Sequence, residues 1–272
     1  MADLADPSYR SGNDLLPKWW ENSAWEPIYD NQGQILSLIL GVTLWEIFGR
    51  LLDFAFLPPF SIVITATWEL IVSGEIWGSL AASLLSLAIG YALASSLGVI
   101  IGVLMGRYRK IEHLLDIYIY AFLASPGLIY VPILFAIFGT GRTTQIAVVF
   151  IYSFFLIVTH TFIGIRNVDA RLIAMALSLG ASERQLFWQV MLPGSLPLTM
   201  TGLRLGMARA VKGMINGEMF IALVGMGALI RTYGSRFDAA KVLALLLIVI
   251  SIALITTTFV QQLDKHLTRW ST

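Results

Sequence analysis

The largely apolar segment 200–224 contains the polar residues Arg209, Lys212, Asn216 and Glu218 in addition to Arg204. A charge at the centre of a lipid bilayer costs about 3 kcal/mol on insertion scales, so such residues usually face a cavity or a partner. At 100° per residue the first three share one helix face, which predicts a basic surface suited to an anion. Glu218 falls opposite Arg209, and we expect it to hold its helix against a neighbour.

Arg209 and Lys212 have a second interpretation that involves no ligand. Both would then lie near the cytoplasmic end of the helix, where long basic side chains extend to the aqueous phase. His160 is either a hydrogen-bonded packing residue or a contact for a transported molecule. Pro126, with Pro132, predicts a kink that frees backbone carbonyls, which membrane proteins tolerate only against protein or a wet cavity.

Composition identifies the bilayer as the solvent for most of this chain. Its 272 residues are 57% hydrophobic and only 13% charged, with a mean hydropathy of +0.77. A soluble domain cannot bury that much apolar surface. The absence of cysteine excludes disulfides and thiolate metal sites, and the three histidines lack metal-site spacing. The net charge of +1 argues against nucleic acid as a partner.

Hydrophobic segments predict an all-α membrane protein with six spans of the length that a bilayer requires. The shorter amphipathic run 61–73 predicts an interfacial helix. The domain is expected over 34–265, between cytoplasmic tails at 1–33 and 266–272. The six predicted spans are 34–52, 79–105, 112–138, 143–165, 200–224 and 240–262.

Small residues recur every four positions in the second predicted span, at Ala94, Gly98, Gly102 and Gly106. Such a stripe allows a neighbouring helix to approach closely. The neighbour is either another helix of the same subunit or a helix of a second copy.

A polar hairpin at 169–193 interrupts the membrane-like sequence. Asp169 is predicted to cap its first helix, and Gly180 to end that helix in a left-handed turn. Ser182 and a glutamine three residues later predict a capping box for the second helix, which is expected to stop at Pro193. The distribution of Lys and Arg between the loops favours a cytoplasmic hairpin and cytoplasmic termini.

The hairpin resembles the cytoplasmic coupling motif of ABC importer permeases. The match rests on Gly180, Val190, Leu192 and Pro193 at the spacing of that motif, and it is supported by Ala181, Ser182 and Phe187. Further similarities, over roughly 55–265, indicate the subfamily that imports sulfonates, taurine, nitrate and related anions. They are Leu57-Pro58-Pro59, Pro126, Pro132, Gly139, Leu203-Arg204-Leu205 and Glu218.

This resemblance implies a type I ABC importer permease with a helix that couples it to an ATPase. Its implied partners are a second permease copy, giving a homodimer, two cytosolic ATPase subunits and an extracytoplasmic binding protein. ATP and Mg²⁺ would be bound by the ATPases, so no cofactor and no enzyme activity are expected in this chain, which lacks a phosphate-loop sequence. The implied ATPase contacts are Gly180, Ala181, Ser182, Glu183, Arg184, Phe187, Leu192 and Pro193.

One position departs from the family pattern. The motif usually carries a glutamate six residues before its glycine, and Ala174 stands there instead. The charge contact that such a glutamate makes cannot form, and Glu183 or Arg184 is the candidate to replace it.

Three function classes follow. The first is a permease subunit in the cell (inner) membrane that passes a small anion of the sulfonate, taurine, nitrate or aromatic acid type, or alternatively a thiamine-precursor-like nutrient, from a binding protein to the cytoplasm. The second, a transporter driven by an ion gradient, needs carboxylate or histidine relays on several helices, whereas Glu218 is nearly alone. The third, a membrane enzyme, lacks any catalytic spacing.

Overall fold

The structure is a computed structural model that describes residues 31–52, 54–221 and 225–267, and its regular elements are all helical. The predicted tails 1–33 and 266–272 lie mostly outside the described residues. The chain divides into two compact units, Met1–Ser61 and Ile62–Thr272. The helices are α1 (Asn31–Leu52), α2 (Phe60–Val72), α3 (Glu75–Arg107), α4 (Arg109–Ala124), α5 (Tyr130–Phe138), α6 (Arg142–Arg166), α7 (Ala170–Ser178), α8 (Glu183–Leu186), α9 (Leu192–Ile221), α10 (Met226–Ser235) and α11 (Ala239–Leu267).

In the first unit, α1 is tied to the proline turn that follows it. The Trp45 indole donates to the Pro58 carbonyl over 3.1 Å. The Glu46 carboxylate accepts from the Ser61 backbone N–H at 2.9 Å and pairs with Arg50 at 2.6 Å. These contacts give the charges near the end of this apolar helix partners of their own.

Four helices among the described residues are long and apolar enough to cross a membrane: Gly33–Leu52, Glu75–Arg107, Arg142–Arg166 and Ala239–His266. They coincide with the first, second, fourth and sixth predicted spans. The predicted fifth span lies in α9, a 30-residue helix that is less apolar because it carries three basic residues and Glu218. Helix α2 is short and apolar, at the place of the predicted interfacial helix.

The third predicted span, 112–138, is broken into two helices at Pro126, where the sequence predicts a kink. Helix α4 ends at Ala124, a 3₁₀ turn covers Gly127–Ile129, and α5 leaves at an angle of 95°. Ser125 is extended because the ring of a following proline disfavours helical dihedrals. The second predicted kink, at Pro132, is wrong: this proline lies in the first turn of α5, where backbone N–H groups lack helical partners anyway.

Helix α6 is the centre of the second unit, because glycine faces of two neighbours pack against it. On α3, a Cβ added at Gly98, Gly102 or Gly106 would lie within 3.0 Å of Ile157, Thr161 or Ile165, respectively. On α9, a Cβ added at Gly202, Gly206 or Gly213 would likewise lie within 3.0 Å of an α6 side chain, and one at Gly217 would lie 3.3 Å from Val148. The small-residue stripe of α3 therefore serves packing within one subunit.

The hairpin begins as the sequence predicts. Asp169 accepts from the Arg171 backbone N–H at 2.8 Å, Gly180 has a φ of 79°, and Ser182 forms a capping box with Gln185. The predicted stop at Pro193 is wrong. A π-helical turn at Phe187–Met191 joins α8 to α9, and its wider ring accommodates a proline that has no N–H to donate.

Candidate functional site

A cavity of about 210 Å³ lies where the break between α4 and α5 faces α6 and α9. Its wall combines two cations with four aromatic rings. Phe122 of α4 and Phe155 of α6 stack with ring centroids 4.8 Å apart, and Tyr130 lies 5.5 Å from Phe122. The lining residues are Phe122, Leu123, Ser125, Gly127, Tyr130, Ile151, Tyr152, Phe155, Arg209 and Lys212.

Tyr152 of α6 is held in place by a glycine at each end of its side chain. A Cβ at Gly127 would lie 2.7 Å from the phenol Cζ, and one at Gly213 would lie 2.7 Å from Cγ. Asn216 donates to the Tyr152 hydroxyl over 3.1 Å. Because any larger residue at 127 or 213 would displace the ring, these small residues fix one wall of the cavity before a ligand arrives.

Arg209 and Lys212 line the cavity together, one turn apart on α9, as their shared helix face predicts. Both side chains are exposed, and within the described residues neither forms an ion pair or a hydrogen bond. Lining residues from the other helices contribute no carboxylate. The cavity therefore presents uncompensated positive charge next to apolar rings, an arrangement that attracts an anion.

Three other candidates lie away from the cavity wall. His160 is half-buried, its Nδ1 lies 3.0 Å from the Leu156 carbonyl, and its Cβ packs against Gly202. That geometry is of the hydrogen-bonded packing kind. Pro126 causes the helix break, but its neighbours Ser125 and Gly127 form the wall. Asn216 reaches the cavity only through Tyr152.

Glu218, near the end of α9, is fully buried against the start of α10. Its Oε2 accepts from the Gly227 N–H at 2.9 Å, while Oε1 has no hydrogen-bond partner among the described residues. Ser83 of α3 accepts from the Met226 N–H at 2.9 Å, and a side chain at Gly225 would collide with the carboxyl group. These contacts join α9 and α10, so the geometry of Glu218 is that of a structural partner.

The hairpin has an exposed apolar surface. Leu172, Met175, Leu179 and Trp188 are 46%, 57%, 82% and 59% exposed. Of the residues implied to contact an ATPase, Gly180, Ser182, Glu183 and Arg184 are exposed, Ala181, Leu192 and Pro193 are half-buried, and Phe187 is buried. The bidentate Arg171 side chain and its backbone N–H hold the pKa of Asp169 below its ordinary value. The carboxylate is therefore charged when it caps α7.

Phe187 does not face outward with its neighbours. Its ring lies beneath the guanidinium of Arg107, 4.4 Å from Cζ to the ring centroid, and it meets the Trp188 ring edge-on. Arg107 is the last residue of α3. This contact anchors the π-turn to the helix bundle, and the sequence alone does not predict it.

The sequence does not predict the aromatic wall either. Tyr152 and Phe155 are three residues apart in the fourth predicted span, so they share a face. That spacing is a usable signal, but it cannot show which helix break lies opposite. The same spacing occurs in ordinary apolar packing. Only the contacts with Gly127 and Gly213 distinguish Tyr152, and only its place on the cavity wall distinguishes Phe155.

The fold and the site define a class: a helical, multi-pass membrane protein with a charged cavity and a hairpin open to a partner. Residues 94–269 match the model of the family described as binding-protein-dependent transport system inner membrane component. The chain belongs to this family. It is a non-catalytic permease subunit of an ABC importer, embedded in the inner membrane and dependent on ATPase and binding-protein partners.

Several transport permeases are similar in sequence to this chain over most of its length. The putative aliphatic sulfonates transport permease protein SsuC of Bacillus subtilis is 31% identical over 242 residues, covering 88% of this chain and 87% of its own. The taurine transport system permease protein TauC of Escherichia coli is 29% identical over 241 residues, covering 86% and 88%. The formylaminopyrimidine transport permease protein ThiX of Halalkalibacterium halodurans is 27% identical over 235 residues, covering 86% and 94%.

A solved structure shares the fold. The inward-facing MetNI methionine ABC transporter superposes with a TM-score of 0.57 over 77% of this chain and 97% of its own, at 17% sequence identity. The predicted fold class, a type I ABC importer permease, is thereby confirmed, and so is the subfamily resemblance through the sulfonate and taurine relatives.

Proposed function

We propose that this permease imports a small organic anion of the sulfonate type. The observation that carries the proposal is the pair of unpaired cations, Arg209 and Lys212, on the wall of the cavity. Two of the relatives named above are sulfonate and taurine permeases, which supports the same class. A cavity with free basic groups lowers the energy of an anion that has left water.

A neutral pyrimidine is the second candidate, because one relative is a formylaminopyrimidine permease. The aromatic rings of the cavity suit such a heterocycle, but two uncompensated cations would give it no benefit. We therefore rank the anion first.

The experiment is ATP-driven uptake in proteoliposomes that contain the permease, its ATPase and its binding protein. Taurine, an alkanesulfonate, an aromatic sulfonate, nitrate and a formylaminopyrimidine are compared. We expect uptake of a sulfonate that stops without ATP, and a loss of about tenfold or more in the Lys212→Gln variant. Uptake that proceeds on a proton gradient without ATP, or uptake of the neutral pyrimidine alone, would contradict the proposal.

The hairpin, in this proposal, is the coupling element that docks on a cytosolic ATPase. Its support is the exposed apolar surface of Leu172, Met175, Leu179 and Trp188, of which Trp188 meets Phe187 by one ring edge. Ala174 removes the charge contact of the usual motif, and Glu183 and Arg184 are exposed and without ion pairs inside the described chain. The hairpin would therefore dock on the ATPase through shape and apolar contact, with Glu183 and Arg184 at the rim of the interface.

We also propose that both termini and the hairpin are cytoplasmic and that two copies of the chain form the pore. The chain has no native cysteine, so a single Leu179→Cys substitution gives an unambiguous label. We expect cross-linking to the ATPase and no reaction with an impermeant maleimide in intact cells. Labelling from outside would overturn the orientation, and native mass spectrometry that found one permease copy per complex would overturn the homodimer.

A further inference from the structure

The cavity carries more information than charge, because its apolar part is made of aromatic rings. Phe122, Phe155, Tyr130 and Tyr152 come from the broken span and from α6, while Arg209 and Lys212 come from α9. Cations and rings therefore lie on different helices. A ligand that meets both must have a charged end and a flat apolar end.

Resting on the proposed function, we propose that the cavity is selective for aryl anions, such as an aromatic sulfonate or carboxylate. The acidic group lies at Arg209 and Lys212, and the ring lies against the aromatic wall formed by the stacked Phe122–Phe155 pair and Tyr152. The rings of the wall already pair with one another, with centroids 4.8 and 5.5 Å apart. A ligand ring can join them in an offset or edge-to-face contact, for which centroids lie about 4.5–7 Å apart.

The size of the cavity agrees with this ligand class. An apolar cavity of about 150 Å³ is sufficient for one benzene molecule. The 210 Å³ present here leaves space for the ring and one acidic group beside it. Nitrate would fill only a small part of this volume and would leave the rings without a contact.

The charges exclude other organic ligands. Taurine carries an ammonium group, which needs an acceptor or an opposite charge when it leaves water. The residues that line the cavity include no carboxylate, and Asn216 is already bonded to the Tyr152 hydroxyl. An aliphatic sulfonate satisfies the cations but gains little from stacking, so we expect it to bind more weakly than an aryl sulfonate of similar charge.

Within the aromatic wall, the Tyr152 ring is held in a fixed position, which favours selective binding of a flat ligand. Gly127 contacts the hydroxyl end of the Tyr152 ring, Gly213 contacts its Cβ end, and Asn216 fixes its hydroxyl. A ring that cannot rotate away keeps its face available and loses little conformational entropy when a ligand binds.

The test measures ligand binding to the permease–ATPase complex in lipid nanodiscs without the binding protein, whose own specificity would otherwise dominate. Isothermal titration compares benzenesulfonate, methanesulfonate, taurine and benzyl alcohol. We expect benzenesulfonate to bind at least about tenfold more tightly than methanesulfonate, and we expect no detectable binding of taurine or benzyl alcohol.

Three variants separate the contributions. Phe155→Ala should reduce the preference for benzenesulfonate to about threefold or less while methanesulfonate still binds, and Lys212→Gln should weaken both anions. Arg204→Gln is the matched control, because Arg204 is a cation on the same helix that does not line the cavity. This control should bind as the wild type does.

Equal binding of the two sulfonates by the wild-type complex overturns the proposal without any variant, as does failure of every anion to bind. An undiminished preference in Phe155→Ala also overturns it. The outcome is separable from the proposed function, because ATP-driven uptake of an aliphatic sulfonate would persist if only the aryl selectivity were wrong.

Discussion

The close contact of α3 with α6 gives a stability prediction whose sign depends on position within one helix. In Gly102→Ala, the added Cβ would lie 2.6 Å from Thr161 Cβ and 2.7 Å from the Val158 carbonyl oxygen. Optimal carbon contacts are about 3.5–4.0 Å. The two helices must therefore separate by about 1 Å, and part of the obstacle is backbone, which cannot rotate out of the way.

The magnitude follows from two opposing effects. Overpacking a well-filled interior costs about 1–3 kcal/mol, whereas replacing glycine by alanine in a helix gains up to about 1 kcal/mol. Gly78→Ala on the same helix keeps the gain and avoids the cost, because nothing lies within 4 Å of its added Cβ. The stability of Gly98→Ala should lie between those of the other two variants. Its nearest contact, the Ile157 Cγ2 methyl group at 3.0 Å, is less close than the contacts at Gly102.

The assay is unfolding of the purified permease in mixed micelles by titration with sodium dodecyl sulfate, followed by circular dichroism. We expect the free energy of unfolding of Gly102→Ala to lie about 1–3 kcal/mol below that of Gly78→Ala. Equal stability of the three variants would refute the packing of α3 on α6. A defect that appeared only in the assembled dimer would instead place the stripe at a seam between copies.

Three further perturbations test the hairpin and the buried carboxylate. Gly180→Val should uncouple ATP turnover from uptake while membrane insertion stays normal, because a β-branched residue resists the φ of 79° at that turn; normal uptake would count against the hairpin's role. Ser182→Ala removes the capping box and should lower thermal stability by about 1 kcal/mol, measured as a shift in Tm, whereas Ser178→Ala is the control that leaves this cap intact. Glu218→Ala removes the only side-chain acceptor of the Gly227 N–H among the described residues. It should therefore lower Tm more than Glu69→Ala, which changes an exposed glutamate of α2. An unchanged Tm would refute the structural role of Glu218.

Local chemistry in the sequence is sufficient to predict the ends of the hairpin helices. Asp169, Gly180 and Ser182 act on their own backbone or on residues within four positions, so their roles need no tertiary information. The shared face of Arg209 and Lys212 is equally local, because it follows from helical periodicity alone.

The errors have a common origin in tertiary context. A hydrophobic run such as 112–138 gives the same signal whether it is one span or two helices at 95°, and only contacts from other helices decide between them. At Gly127 the Tyr152 ring occupies the space that a side chain would fill. Likewise, the stop expected at Pro193 neglects the π-turn, which adds one residue to the hydrogen-bonded ring and lets the helix continue.

The continuity through Pro193 has a mechanical consequence for the proposed coupling. From Leu192 the helix runs without a break to the two basic residues of the cavity, and the 17 positions to Arg209 correspond to about 26 Å. A displacement of the hairpin by an ATPase is thus delivered along one helix to the cations. The glycine contacts with α6 make α9 move together with α3 and α6, since close-packed interfaces slide poorly. Under the proposed coupling, the cavity would change shape at its remaining wall, the break between α4 and α5, where helical hydrogen bonding is already interrupted.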